Sequence, residues 1–163
     1  MNSNPVCASG QGSSSSSPGT TSGSTPGPKR ALVAGSAHLD ILARPLADST
    51  HRDRIGSVGL EAGGTACNAA FNLRRLGQPV RLMTAWGSGA MERLMASHIQ
   101  GTGVELMVDE IPGMPLAAFS ALLTAEGDLA QAISCTPVDT HTFSAARIAR
   151  ALDEIDYVLV EAN

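Results

Sequence analysis

From Ala31 onward the chain alternates short apolar runs with stretches whose apolar residues recur every three or four positions. That is the texture of an α/β sheet with crossover helices. The run Ala31-Leu-Val-Ala-Gly35 is closed by glycine and predicts a buried parallel strand. In Ala66–Leu76 the apolar positions 66, 69, 70, 73 and 76 keep the helical period, and Gly77 stands where a left-handed C-terminal cap belongs. Pro79–Ala85 predicts a second core strand, and Met91–Gln100 a second helix that stops at Gly101 or Gly103. Val104–Glu110, Leu116–Thr124 and Leu129–Ser134 read as strands, the last two joined by the turn residues Glu126-Gly127-Asp128. Together these three look like an antiparallel addition. Ser144–Ile155 repeats the helical period at Ala145, Ile148, Ala149, Leu152 and Ile155, and Tyr157–Glu161 predicts another buried strand.

The pattern therefore holds three core strands, fewer than an ordinary sheet. A strand that is apolar throughout wants helices on both faces and neighbours on both edges. With Tyr157–Glu161 so near the last residue, the sequence reads as the front portion of a larger fold. Residues 1–28 are mostly Ser, Gly, Thr and Pro, and such a tail buries too little apolar surface to offset its ordering entropy, so disorder is expected there. It has neither the apolar stretch of a secretory signal nor the arginines of a transit peptide.

Composition narrows the class. A chain of 163 residues with 43% apolar and 16% charged residues suits one domain, spanning 29–163 once the tail is set aside. The net charge of −4 supplies no basic patch for nucleic acid, and no apolar run reaches the roughly 18 residues of a membrane span. Three cysteines (Cys7, Cys67, Cys135), one of them in the tail, make no disulfide framework and fit a reducing compartment, which places the protein in the cytoplasm.

Candidate chemistry concentrates in Gly63-Gly64-Thr65-Ala66-Cys67-Asn68, a paired glycine directly before a helix. Glycines let the backbone approach a ligand closely, and free N–H groups at a helix start donate to oxygens. Asn68 falls in the first turn and offers both donor and acceptor. Asp40 follows the first strand by a few residues, near the C-terminal sheet edge where open α/β sheets bind ligands. A carboxylate, an amide side chain and backbone N–H groups suit a polyhydroxyl ligand. Singly, Asp40 reads as a turn or cap residue and Gly63-Gly64 as a turn.

Gly35 with Asp40, then Gly63-Gly64-x-x-x-Asn68-x-Ala70 leading to Leu76-Gly77, then a strand into Ala85-Trp86-Gly87, resembles the ribokinase (PfkB) family of carbohydrate and nucleoside kinases. Thr102-Gly-Val-Glu105 followed by a hairpin matches the same layout, and the resemblance covers residues 30–163. It implies a ribokinase-like three-layer α/β sandwich with a partial parallel sheet and a small antiparallel β lid. Arg54–Glu61 with the strands of Leu116–Ser134 would form that lid, which closes over the sugar, excludes competing water and often mediates dimers. The resemblance assigns Asp40 to the sugar hydroxyls, Gly63, Gly64 and Asn68 to the walls of that pocket, and Asn163 to a substrate contact at the end of the Tyr157 strand. It also implies ATP and Mg2+ for the full-length enzyme.

The departures are specific. Family members commonly carry an acidic residue just after the glycine equivalent to Gly87, where this chain has Ser88-Gly89; Thr65 stands where ribokinases proper have lysine. The second family signature, an Asp-Thr-x-Gly-Ala-Gly-Asp-type stretch that supplies the catalytic base and phosphoryl-stabilising amides, does not occur in these residues. Two functional expectations follow: the substrate-binding portion of a kinase that transfers the γ-phosphoryl of ATP to a hydroxymethyl group, with no catalytic base or ATP site of its own; or a non-catalytic sugar- or nucleoside-binding or dimerising module, including an inactive remnant. Other chemistries fall away. There is no Gly-x-x-x-x-Gly-Lys-Ser/Thr loop, and His38, His51, His98 and His141 are scattered without zinc-site spacing. Cys67 sits where a helix start lowers a thiol pKa, yet no partner base accompanies it, so it reads as a small residue packed behind the glycines. Arg74 and Arg75 read as a solvated helix end.

Overall fold

In chain order the elements are β1 (Ala31–Ala34), β2 (His38–Pro45), β3 (Gly56–Gly63), α1 (Thr65–Arg75), β4 (Val80–Trp86), α2 (Ala90–Gly101), β5 (Glu105–Glu110), β6 (Ala118–Leu123), β7 (Leu129–Cys135), a 3-10 turn at Pro137–Thr140, α3 (Ala145–Ala151) and β8 (Tyr157–Val160). The computed structural model describes residues 27–48 and 50–161. The disorder expected for the tail falls almost wholly on residues outside that range, as does Asn163.

Four strands form a parallel sheet in the order β5-β4-β1-β8. The sequence pattern gave three core strands. The fourth is β5, which pairs in parallel with β4 from Arg81↔Glu105 to Trp86↔Glu110 instead of joining the antiparallel group. Strand alternation distributes the apolar residues between two faces. Ala31, Val33, Val80, Leu82 and Trp86 pack with Ala66 and Ala70 of α1 and Met95 and Ile99 of α2. Leu32, Ala34 and Met83 meet Ala151 of α3, with Phe143 and Ile155 alongside. Helices thus cover the sheet on both sides, and the expected three-layer α/β sandwich is the fold.

The second sheet runs β3-β2-β6-β7. Its outer pairs, β2–β3 and β6–β7, are antiparallel hairpins, while the central pair β2–β6 is parallel, from Leu39↔Ala118 to Ala43↔Leu122. This is the lid. Sequence reading left β2 unassigned because His38, Asp40, Arg44 and Pro45 interrupt any apolar run; pairing on both edges makes it the centre of the lid.

Two smaller differences have clear causes. The third helix stops at Ala151, not Ile155: Ser144 caps its start by accepting from the Arg147 N–H, and Glu154 adopts a left-handed φ of 57° that ends the helical path. The last strand, expected to be buried, has Val160 71% exposed, because β8 pairs only with β1.

Candidate substrate site

The C-terminal end of β1 leads to Ser36, which is buried and sits at a junction of three elements. The Ser36 N–H and hydroxyl both donate to Glu161 Oε2, at 2.6 and 2.7 Å, just past the end of β8. The same hydroxyl accepts from the Thr65 N–H at 3.1 Å, and the Ser36 carbonyl accepts from the Cys67 N–H at 3.1 Å. Helix α1 has no side-chain cap of its own. Its first-turn donors are satisfied from the β1 loop instead. Burial of the Glu161 carboxylate pushes its pKa up, but the hydrogen bonds from Ser36, Thr65 and Ala66 outweigh that and hold it below the ordinary carboxylate value.

The glycine pair makes this junction possible. Gly64 has φ 103°, and a Cβ there would stand 2.5 Å from the Ser36 carbonyl oxygen. Only glycine lets the start of α1 approach so closely. Gly63 ends β3, and a Cβ on it would overlap the Asp40 carboxylate. Asp40 and Gly63 are therefore in direct contact across β2 and β3: the carboxylate fills the space that a side chain on Gly63 would take, and the Asp40 side chain keeps 24% exposure. His38 Nδ1 lies 2.8 Å from Asp40 Oδ1, and the His38 ring stands 6.3 Å from that of Phe119 on β6.

Of the residues singled out in the sequence, Asp40, Gly63 and Gly64 come together here. Asp40 occupies a lid strand rather than the turn after β1. Asn68 stands in the first turn of α1, exposed, and lines a groove of about 1010 Å³ with Leu39, Glu61, Asn72 and Arg75. Asn163 cannot be placed with them, since it lies outside the described residues. Sequence reading missed Ser36, His38 and Glu161. Ser36 and His38 are the two polar residues among the four between Gly35 and Asp40 and would have been found by scanning that interval for polar side chains; Glu161 was visible only as a strand end. Cys67 is buried behind the glycines, and that burial, reinforced by the nearby Asp40 charge, pushes its thiol up to about 12.

Glu92, in the first turn of α2, folds back so that its Oε1 would be 2.9 Å from a Cβ on Gly87, and its carboxylate also fills the space beside Gly89. Among the described residues no group of three or more His, Cys, Asp or Glu side chains is arranged to hold a metal, and no helix is long and apolar enough to cross a membrane.

A parallel sheet covered on both faces and a four-stranded lid that seats the Asp40 carboxylate against Gly63 define a lidded α/β fold. The sequence pattern of the pfkB family carbohydrate kinases matches residues 29–158, and the chain belongs to that family. It is 31% identical over 141 residues to a guanosine-inosine kinase of Exiguobacterium acetylicum, a match covering 80% of this chain and 45% of that protein. A carbohydrate kinase from Agrobacterium tumefaciens superposes with TM-score 0.68 at 28% identity, over 81% of this chain and 45% of that one. The Arabidopsis thaliana ribokinase complexed with ribose and ATP has the same fold, with TM-score 0.66 at 21% identity over 82% and 45% of the two chains. The chain thus spans a little under half the length of these relatives.

Proposed function

We propose that this chain is the substrate-binding portion of a cytoplasmic kinase that transfers the γ-phosphoryl of ATP to the hydroxymethyl group of a nucleoside or sugar. The observation that carries the reading is the Asp40 carboxylate, seated on a lid strand against Gly63 in the room the missing side chain leaves, and still 24% exposed. A carboxylate is an acceptor with room for two hydroxyl donors, and a ribose or other polyol supplies them. Gly63 and Gly64 give close backbone contact, and Asn68 reaches the ligand from the first turn of α1 as the lid closes. Asn163 is added to this set on the family resemblance alone. The relative named as a guanosine-inosine kinase favours a purine nucleoside over a free sugar as the ligand.

The catalytic base, the ATP site and the bound Mg2+ belong, in this reading, to the part of the kinase fold outside these 163 residues. ATP with Mg2+ supplies the phosphoryl group; the residues described here bind and orient the acceptor and exclude water. The partner is a second copy of the chain: Leu60, Ile41, Ser120 and Ile133 stand in one row across the lid, and Leu60 and Ile133 are 54% and 73% exposed. A non-catalytic sugar- or nucleoside-binding or dimerising module is the alternative reading.

The experiment is a calorimetric titration of the purified chain and its Asp40→Ala variant with inosine and with ribose, alongside an assay for ATP-dependent phosphorylation. Binding lost in Asp40→Ala supports the site. Equal affinity in both proteins overturns it, and phosphorylated product from the chain alone overturns the division of labour.

A further inference from the structure

His38 has no role in the reading above, yet its ring faces Asp40 directly. Its Nδ1 is 2.8 Å from Asp40 Oδ1. The two atoms are off the line of a hydrogen bond, so each of these buried atoms is left without an aligned partner. Buried polar atoms in a folded chain are nearly always hydrogen-bonded, and two such orphans facing each other mark a contact that a small ring rotation completes. Phe119 flanks the imidazole at 6.3 Å and limits that rotation on the β6 side. The carboxylate rests on Gly63, with Oδ2 nearest the glycine, and since the Asp40 side chain is 24% exposed while Oδ1 is buried, Oδ2 is the oxygen left to a ligand. The carboxylate thus has its buried oxygen turned to an imidazole nitrogen and its other oxygen next to Gly63.

We infer that His38 is a positioning residue: an Nδ1–H donated to Asp40 Oδ1 fixes the carboxylate so that Oδ2 is presented to a ligand hydroxyl. This rests on the assignment of Asp40 to the ligand. It has a consequence for pH. A carboxylate beside a neutral imidazole keeps its full charge as an acceptor, whereas beside an imidazolium that charge is partly neutralised and its hydrogen bond to a neutral hydroxyl weakens. Affinity therefore falls on acidification. The other ionisable groups around the pair are Glu61, the cross-strand neighbour of Asp40 in β3, and Cys67 on α1, whose raised thiol stays uncharged; Phe119 from β6 carries no charge.

The test uses the whole chain, inosine and ribose as probes, and calorimetry at pH 8.0 and pH 5.5, with circular dichroism to check folding. His38→Ala removes the donor and is expected to weaken binding about tenfold at pH 8.0, the order for a lost hydrogen bond to a charged group. His38→Asn places an amide N–H at the position of Nδ1; it is expected to restore most of that affinity and to abolish the fall that the wild type shows at pH 5.5. A merely structural histidine would show neither the rescue nor the flattened profile. If Asp40→Ala loses binding while both His38 variants keep wild-type affinity and pH dependence, the role of His38 is overturned and the site stands. If the wild type binds neither probe, or binds as well without Asp40, the site assignment fails and takes this inference with it. Should His38→Ala not fold, His38→Asn alone decides: a pH profile like the wild type's overturns the inference.

Discussion

Glu161 Oε2 accepts two hydrogen bonds from Ser36, one from its amide and one from its hydroxyl, and so ties the end of β8 to the end of β1. A residue reached only after the whole lid and three helices thereby completes the loop that caps α1.

Glu161→Gln is expected to cost on the order of 1–2 kcal/mol at neutral pH, since a charged acceptor becomes a neutral one. Because the folded-state pKa of Glu161 lies below its ordinary value of 4.5, this stabilisation is present above that value and is lost as pH falls through the lower one. Thermal unfolding of both proteins at pH 7 and pH 3 checks it. The gap in melting temperature should narrow at pH 3; a constant gap means the charge contributes nothing.

Gly63→Ala and Gly64→Ala should fail differently. At Gly64 the added methyl meets the Ser36 backbone and the residue must also hold φ 103°, so urea denaturation should show a loss of roughly 2–4 kcal/mol. At Gly63 the methyl meets a side-chain carboxylate that can swing away. That variant is expected to fold with a smaller loss but to bind inosine or ribose poorly, because Asp40 has moved. Calorimetry on the folded protein separates the two effects.

Arg81 is 8% exposed, and its guanidinium donates to the carbonyls of Arg150, Ala151 and Asp153, at 3.3, 2.8 and 3.0 Å, and to Glu105 Oε1 at 2.9 Å. It supplies donors to the last carbonyls of α3, Arg150 and Ala151, which the helix itself leaves without N–H partners. Arg81→Met keeps the buried stem and drops the donors, and is expected to destabilise by about 2–4 kcal/mol. Limited proteolysis should then cut first between residues 145 and 161. Unchanged protection there would show that α3 is held by its apolar contacts alone.

Cys67 should be inert. With its thiol near 12, the thiolate fraction at pH 8 is negligible, and the side chain is fully buried. Iodoacetamide labelling followed by peptide mass mapping is expected to modify half-buried Cys135 on β7 and leave Cys67 untouched until denaturant is added. Labelling of Cys67 in the native protein would mean that the glycine loop opens readily.

Local pattern alone determined much of this protein. Continuous apolar runs specified β1 and β4, the 3.6-residue period specified α1 and α2, and Gly77 ends α1 in the left-handed conformation with φ 80°, because these features depend on residues a few positions apart. The motif from Gly35 to Asn68 likewise specified the family before any coordinate. Tertiary structure decided what depends on pairing across the chain. Whether Val104–Glu110 joins the lid or the core, whether the mixed-polarity segment from His38 is a strand, and how exposed Tyr157–Val160 is are questions of neighbours, and an apolar strand reads the same in either setting. The same holds for the site. The sequence named Asp40 and the glycines as residue types suited to a polyol, but the contact between Asp40 and Gly63, the turn of His38 toward the carboxylate and the capping of α1 by Ser36 and Glu161 arise only when strands distant in sequence are laid side by side and their side chains compete for the same few hydrogen bonds.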